Sequence, residues 1–311
     1  MKVSRVEPRP GAALSNSGLG EVVCVAPTGD RCGEGVLWHP DEQAVYWTDI
    51  NRFLIHRWTP RDSCVRSWFF DEPVTAVLLT DSSDTLVVVL GSGVILWEPR
   101  SDARGKPFFR LENWPAVRLN DAGVDPWGSL WVGSMRNNVN ADGSAGEVGG
   151  ADGGLYRIDP DGKATECRRG IGISNTIVWS PDRTQFYFGD SLADSIDVFE
   201  FDHGELKNPR PFLKNFGRGA PDGSAVDSEG YLWNCRYGGE CIVRAAPGGA
   251  IDRIVEMSTP NITNCTFGGD GLKTLYITTA ALGALPGDRL AGGLFALKTD
   301  VAGQTENRFQ R

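Results

Sequence analysis

The chain has 311 residues, of which 41% are hydrophobic and 23% are charged, as is usual for a globular protein with an apolar core. Its net charge is −9 at pH 7, and an acidic surface without a basic stripe disfavours nucleic-acid binding. No stretch approaches the roughly 20 apolar residues of a membrane helix, and the first residues lack the apolar segment of a secretory signal.

The two ends of the chain are expected to lie outside the folded domain. Residues 1–18 are predicted to form a flexible tail, residues 19–302 a single domain, and residues 303–311 a C-terminal tail. A short strand at 21–25 is expected to pair with the last part of the domain. The seven cysteines form no CxxC pair, so we expect reduced thiols, and with them a cytoplasmic protein.

A repeated unit runs through the domain. Each unit has a polar turn with Asp, Gly or Pro, followed by a strand of aromatic and aliphatic residues. The six units begin at His39, Thr80, Asp125, Ser180, Asp227 and Gly268. Their strand centres are about 46 residues apart, close to the length of a four-stranded propeller blade. The sequence therefore predicts an all-β fold, a six-bladed β-propeller with four-stranded blades and a central site.

One long irregular segment interrupts this pattern, at residues 136–154. It is rich in Gly, Asn and Asp, and a loop of this length in a compact domain is usually functional or disordered. We expect it to lie over one end of the propeller and to act as a lid.

Four polar residues occupy the same register in four units: Glu34, Asn120, Asn175 and Asp222. Each lies a few positions before a turn and is followed by an apolar run, so all four are predicted to face the axis at one level. Carboxylate and amide oxygens suit Ca²⁺, Mg²⁺ or Mn²⁺, and borderline ions such as Zn²⁺ or Fe²⁺ also accept them. The alternative is that these residues only form turns and cap strand ends.

The segments around these residues resemble the SMP-30/gluconolactonase/luciferin-regenerating family, which includes regucalcin. The similar segments are the Gly-Glu-x-x-x-Trp of 33–38, the Arg-x-Asn-Asp of 118–121, the Ile-Ser-Asn of 173–175 and the Pro-Asp-Gly of 221–223. The resemblance implies a sugar lactonase that holds one divalent ion through Glu34, Asn175 and Asp222.

The resemblance also implies that Arg118 and Asn120 contact the sugar. The family often carries an acidic substrate contact after Met135, where this chain has Asn138, and we expect Asn138 to replace it. A second departure is Thr176, at a position that is often Gly in the family.

The hypothesis for the reaction is that the ion polarises the carbonyl of an aldono-1,4- or 1,5-lactone. Asp222 then takes the proton of the attacking water. The small sugar lactone is the expected partner, and the protein is expected to be a monomer or a weak homo-oligomer. Two alternatives stay open: a metal-dependent esterase or phosphotriesterase on the same propeller, and a non-catalytic calcium-binding propeller.

Overall fold

The computed structural model describes residues 19–311, so the predicted tail at 1–18 lies outside the described residues. Six antiparallel sheets are arranged as the blades of a ring. Blade I contains β2 (Gly33–His39), β3 (Ala44–Asp49), β4 (Leu54–Trp58) and β5 (Val65–Phe69). Blade II contains β6 (Val74–Leu79), β7 (Leu86–Leu90), β8 (Gly93–Glu98), β9 (Ala103–Arg104) and β10 (Phe109–Arg110). Because β9 and β10 both pair with β8, they form a divided fourth strand.

The next three blades have four strands each. Blade III contains β11 (Val117–Val124), β12 (Leu130–Arg136), β13 (Gly153–Ile158) and β14 (Ala164–Ile171). Blade IV contains β15 (Ser174–Trp179), β16 (Gln185–Asp190), β17 (Ser195–Asp202) and β18 (Glu205–Lys214). Blade V contains β19 (Ala220–Val226), β20 (Leu232–Tyr237), β21 (Cys241–Ala245) and β22 (Ile251–Glu256).

Blade VI joins the two ends of the domain. It contains β23 (Ile262–Gly268), β24 (Thr274–Thr279), β25 (Leu294–Lys298) and, as its fourth strand, β1 (Val22–Ala26). The predicted pairing of the first strand with the last blade is confirmed. This pairing closes the ring and removes an exposed sheet edge. The helices of the described residues are the 3-10 turns Ile50–Arg52 and Asp270–Leu272, and no helix in this part of the chain is long and apolar enough to cross a membrane.

The blades are held together by apolar side chains packed between neighbouring sheets. Trp131, Trp179 and Phe186, for example, lie in one buried cluster between blades III and IV. Burial of such large aromatic side chains contributes strongly to the stability of the ring. The six-bladed, all-β architecture predicted from the repeat is confirmed.

The ring has two different ends. At the loop end the inner strands begin and the 137–152 loop is found; at the turn end the inner strands turn into their neighbours. Residues 303–311, expected to form a tail, pack across the turn end. The backbone N–H of Gln304 donates to Val226, Asn307 donates to the Val124 carbonyl, and Phe309 is fully buried. The aromatic ring of Phe309 explains this packing, since exposing it would be unfavourable.

Candidate metal and substrate site

Every inner strand has a register shift near its beginning. The shifts fall between Glu34 and Leu37, Val74 and Ala76, Leu119 and Ala122, Asn175 and Val178, Pro221 and Ser224, and Ile262 and Asn264. Such bulges bend a strand and turn a side chain out of the regular alternation, and they are frequent beside functional sites. The four predicted polar residues lie at these bulges. The repeat of the fold thus explains why they share one level.

The bulge of β2 requires a glycine. Gly35 has a φ of 53°, in the left-handed region, and a Cβ there would lie 2.7 Å from the Cα of Ala76 in blade II. Glycine avoids this collision and allows the left-handed conformation. Glu34 can therefore be directed away from its own sheet while the backbone of the next blade remains in close contact.

Glu34 and Asp222 are brought together although they are far apart in the sequence. Both are largely buried, with exposed fractions of 8% and 7%. One oxygen of Glu34 accepts hydrogen bonds from the Gly35 N–H at 2.9 Å and from the Asn264 side chain at 3.0 Å. Burial raises the pKa of both carboxyls, and the charge of Glu34 raises the pKa of Asp222 further. The pair is therefore unfavourable as two bare anions.

Asn175 is oriented by a chain of two hydrogen bonds. Its amide nitrogen donates to the hydroxyl of Ser191 at 2.8 Å, and that hydroxyl donates to the carbonyl of Pro221 at 2.6 Å. Because the single hydroxyl proton of Ser191 is used for the carbonyl, Ser191 can only accept from Asn175. The side-chain oxygen of Asn175 therefore points away from Ser191, towards Asn120. It accepts from Asn120 at 3.2 Å.

Arg118, Asn120 and Asn138 form one network beside this oxygen. Arg118 donates to Asn120 Oδ1 at 2.6 Å and, through two nitrogens, to Asn138 Oδ1 at 3.1 and 2.8 Å. Burial lowers the pKa of Arg118 to about 10. Since Oδ1 of Asn138 accepts from Arg118, the amide nitrogen of Asn138 is the group left to donate to a ligand. The structure thus brings together all six residues predicted for the site.

Three further residues were not assigned a role from the sequence: Asp121, Ser191 and Asn264. Asn264 is at the bulge of blade VI, but it lies four residues before its turn at Gly268, whereas the other four each lie five residues before theirs. The repeat alone therefore did not identify it. Burial raises the pKa of Asp121 to about 8, with a further contribution from Glu34. Asp121 and Asn264 both line a central cavity of about 90 Å³. Ser191 directly follows β16, and its contacts with Asn175 and Pro221 could not be foreseen from local sequence.

The donor set consists of two carboxylates and amide oxygens. Within residues 19–311, no group of three or more His, Cys, Asp or Glu side chains is arranged to hold a metal ion. The six predicted residues themselves contribute neither a thiol nor an imidazole. An all-oxygen set with two mutually repelling carboxylates suits a hard divalent cation, because the cation would offset the repulsion.

The 137–152 loop borders this site and reaches blade I. The side chain of Asn51 donates to the carbonyl of Gly143 at 2.9 Å, and Val139 packs in a small apolar cluster with Ile50 and Phe53. Asn138 is at the start of the same loop. The loop is thus fixed both to blade I and, through Arg118, to the candidate site.

Comparison with known proteins gives a consistent result. A family model described as the SMP-30/Gluconolactonase/LRE-like region matches residues 32–281. The L-arabinolactonase of Azospirillum brasilense is 34% identical over 301 residues, which is 93% of this chain and 96% of the relative. The 6-deoxy-6-sulfogluconolactonase of Pseudomonas putida is 31% identical over 92% of this chain and 97% of the relative.

Solved structures agree with these matches. A luciferin-regenerating enzyme superposes with a TM-score of 0.83 at 27% identity, covering 94% of this chain and 99% of that chain. The matched range 32–281 includes every residue of the candidate site. The resemblance seen in the sequence motifs is confirmed, and the chain belongs to the SMP-30/gluconolactonase/LRE-like family.

Proposed function

We propose that this protein hydrolyses a sugar lactone, an aldono-1,4- or 1,5-lactone, with the help of one divalent metal ion. The observation that supports this most directly is the convergence of Glu34, Asn175 and Asp222 at the bulges of three inner strands. The two relatives described above are named as a sulfogluconolactonase and an arabinolactonase. The names of these relatives support sugar lactones as the substrate class, and the assay of several aldonolactones described below identifies the individual sugar.

The residues present fit a divalent cation. Burial raises the pKa of Glu34 and of Asp222, and the charge of Glu34 raises the pKa of Asp222 further. The side-chain oxygen of Asn175 is turned away from Ser191. These three side chains would hold the ion. When bound, the ion supplies a Lewis acid for the lactone carbonyl.

The remaining chemistry is assigned to the side chains. The oxygen of a water molecule forms a bond to the carbonyl carbon, and the bond from that carbon to the ring oxygen breaks. A carboxylate oxygen of Asp222 accepts the proton of the attacking water and returns it to the departing ring oxygen. The product is the aldonic acid.

Substrate orientation is assigned to Asn120, Asn138 and Arg118. The amide nitrogen of Asn138 donates to a sugar hydroxyl. Arg118 uses most of its donors on Asn138, Asn120 and the Leu119 carbonyl. It therefore fixes the two amides and offers its remaining N–H to the sugar.

The test is lactone hydrolysis in a pH-stat, after chelation and after re-addition of Ca²⁺, Mg²⁺, Mn²⁺ or Zn²⁺ singly. Several aldonolactones are compared with paraoxon and phenyl acetate. We expect hydrolysis of at least one aldonolactone that is lost on chelation and restored by one of the ions. Faster turnover of paraoxon or phenyl acetate than of every lactone would instead favour the esterase or phosphotriesterase alternative.

Asp222→Asn is the informative variant, because it keeps the shape of the side chain. We expect it to lower metal affinity at least about 100-fold and to reduce kcat/KM by about 1,000-fold or more. Asp182→Asn, a substitution in an exposed turn of blade IV, is the matched control and is expected to behave as the wild type. Full lactonase activity of Asp222→Asn would contradict the assignment. Metal binding without turnover of any lactone would favour the non-catalytic calcium-binding alternative.

A further inference from the structure

Thr176 has an unusual backbone conformation directly after a candidate metal ligand. It follows Asn175 in the bulge of β15 and has a φ of 56°. A β-branched residue is rare in this left-handed region. The equivalent bulge of blade I has Gly35 at a φ of 53°. The sequence thus places threonine at a position where the backbone favours glycine.

The side chain of Thr176 connects two neighbouring blades. It is fully buried, and its hydroxyl donates to the backbone carbonyl of Asp222 at 2.6 Å. Asn234 donates to the same carbonyl at 3.1 Å and to the hydroxyl of Ser224 at 3.0 Å. Since the single proton of Thr176 is used for the carbonyl, Ser224 donates to Thr176 across their 2.9 Å contact.

The comparison with Gly35 shows that the equivalent bulge of blade I cannot make this contact. A Cβ at Gly35 would collide with the backbone of blade II. At Thr176 the neighbouring blade instead presents the Asp222 carbonyl, which accepts the hydroxyl proton. A rare conformation persists only where the surroundings fix it, and such positions are concentrated at functional sites.

We propose that Thr176 is a positioning residue that fixes Asn175 and Asp222 at the spacing needed to hold a metal ion. The inference rests on the proposed function, because it takes these two residues as ligands. Thr176 is covalently joined to Asn175 and hydrogen-bonded to Asp222, so one residue determines the relative position of both. Its hydroxyl is expected to act through the ligands and not on the substrate.

Three variants separate the hydroxyl from the shape of the side chain. Thr176→Val keeps the branched shape and removes the hydroxyl. Thr176→Ser keeps the hydroxyl, and Thr176→Gly removes the side chain while permitting the backbone conformation. The control is Thr299→Val, because Thr299 is a buried threonine at the turn end whose hydroxyl also donates to a backbone carbonyl, that of Val301 at 2.8 Å.

The experiment measures the affinity of the chelated protein for Mn²⁺ and Ca²⁺ by calorimetry, and its unfolding in urea without metal. We expect Thr176→Val and Thr176→Gly to lower metal affinity about 10-fold or more, as removal of a partner of a ligand usually does. Thr176→Ser is expected to stay within about threefold of the wild type. Thr299→Val is expected to lower stability without changing metal affinity.

Four results would overturn the proposal. They are wild-type affinity in both Thr176→Val and Thr176→Gly, failure of Thr176→Ser to retain affinity, an equal loss in Thr299→Val, and a wild type that binds neither ion. If Asp222→Asn abolishes binding while both hydroxyl-free variants bind normally, only the role of Thr176 is wrong. If the wild type binds neither ion and no ion restores lactone hydrolysis, the proposed function fails as well. Thr176→Gly also keeps the test decisive should Thr176→Val fail to fold.

Discussion

Asp222 and Asp227 are five residues apart in and beside β19, and both are buried, yet their surroundings differ. Asp227, at the turn end, accepts two backbone N–H groups and the indole N–H of Trp233 at 2.9 Å. It also accepts two guanidinium N–H groups of Arg244 at 2.9 and 2.7 Å. Asp222, at the loop end, lies against the carboxyl of Glu34, and its pKa is raised.

The difference shows how one residue type serves structure and function within one strand. A buried carboxylate whose oxygens are all hydrogen-bonded stabilises the fold, whereas one that lacks such partners is available to a ligand. Asp125 in blade III repeats the arrangement of Asp227. It accepts two backbone N–H groups and the indole N–H of Trp131 at 2.9 Å. Blades III and V therefore repeat the same hydrogen-bonded aspartate at the turn end, whereas Asp222 at the loop end lacks such a set of partners.

The largest effect on stability is expected for Asp227→Ala. This change leaves the indole of Trp233 unpaired and removes the most buried partner of Arg244, so the free energy of unfolding should fall by about 3–5 kcal/mol. Urea denaturation measures this loss. Glu229→Ala is the matched control, because Glu229 contacts the same guanidinium but its side chain is 60% exposed, and it should cost about 1 kcal/mol or less. Equal losses in the two variants would contradict this explanation of the turn end.

Asp222→Asn is expected to have the opposite effect on the metal-free protein, which it should stabilise above neutral pH. A carboxyl whose pKa is raised in the folded state holds its proton more tightly there than in the unfolded chain. Its contribution to stability is complete below about pH 4 and is lost as the pH rises through the folded pKa. Each unit of elevation corresponds to about 1.4 kcal/mol.

Urea denaturation with chelator at pH 5 and pH 8.5 tests this prediction. Between these two pH values the wild type should lose more stability than Asp222→Asn, and the variant should be the more stable protein at pH 8.5. Because the pKa of Asp121 is raised to about 8, part of the decline is expected to remain in the variant. A variant that is less stable than the wild type at pH 8.5 would show that Asp222 is a structural residue like Asp227.

Much of this difference between the two ends could be predicted from the sequence, because the residues concerned recur at fixed positions of the repeat. The polar turns marked the blades, and the common register of Glu34, Asn175 and Asp222 indicated side chains facing one axis. Asn264 in the last blade lies one position later than this register, so its hydrogen bond to Glu34 would not have followed from the pattern. A periodic pattern predicts which residues share a level of the ring, since each blade has the same geometry.

Contacts outside the repeat could not be predicted in this way. The packing of Phe309 across the turn end depends on a segment that follows the last blade. The hydrogen bond between Asn51 and Gly143 joins two loops from different blades. Neither has a periodic or local sequence signal, because the partners meet only when the whole ring has closed.

The smallest effect is expected for Asn51→Ala, which extends the comparison to the loop that borders the site. Loss of the hydrogen bond to Gly143 should lower stability by about 1 kcal/mol or less. It should raise KM for the preferred lactone about three- to tenfold with little change in kcat, because the loosened loop carries Asn138 and through it Arg118. Steady-state kinetics measure both constants.

Asn140→Ala is the matched control, since the Asn140 side chain forms its hydrogen bond within the same loop, to Ser144 at 2.9 Å. If both variants raised KM equally, contact with blade I would not be what positions the loop. If neither did, the loop would have no part in substrate binding.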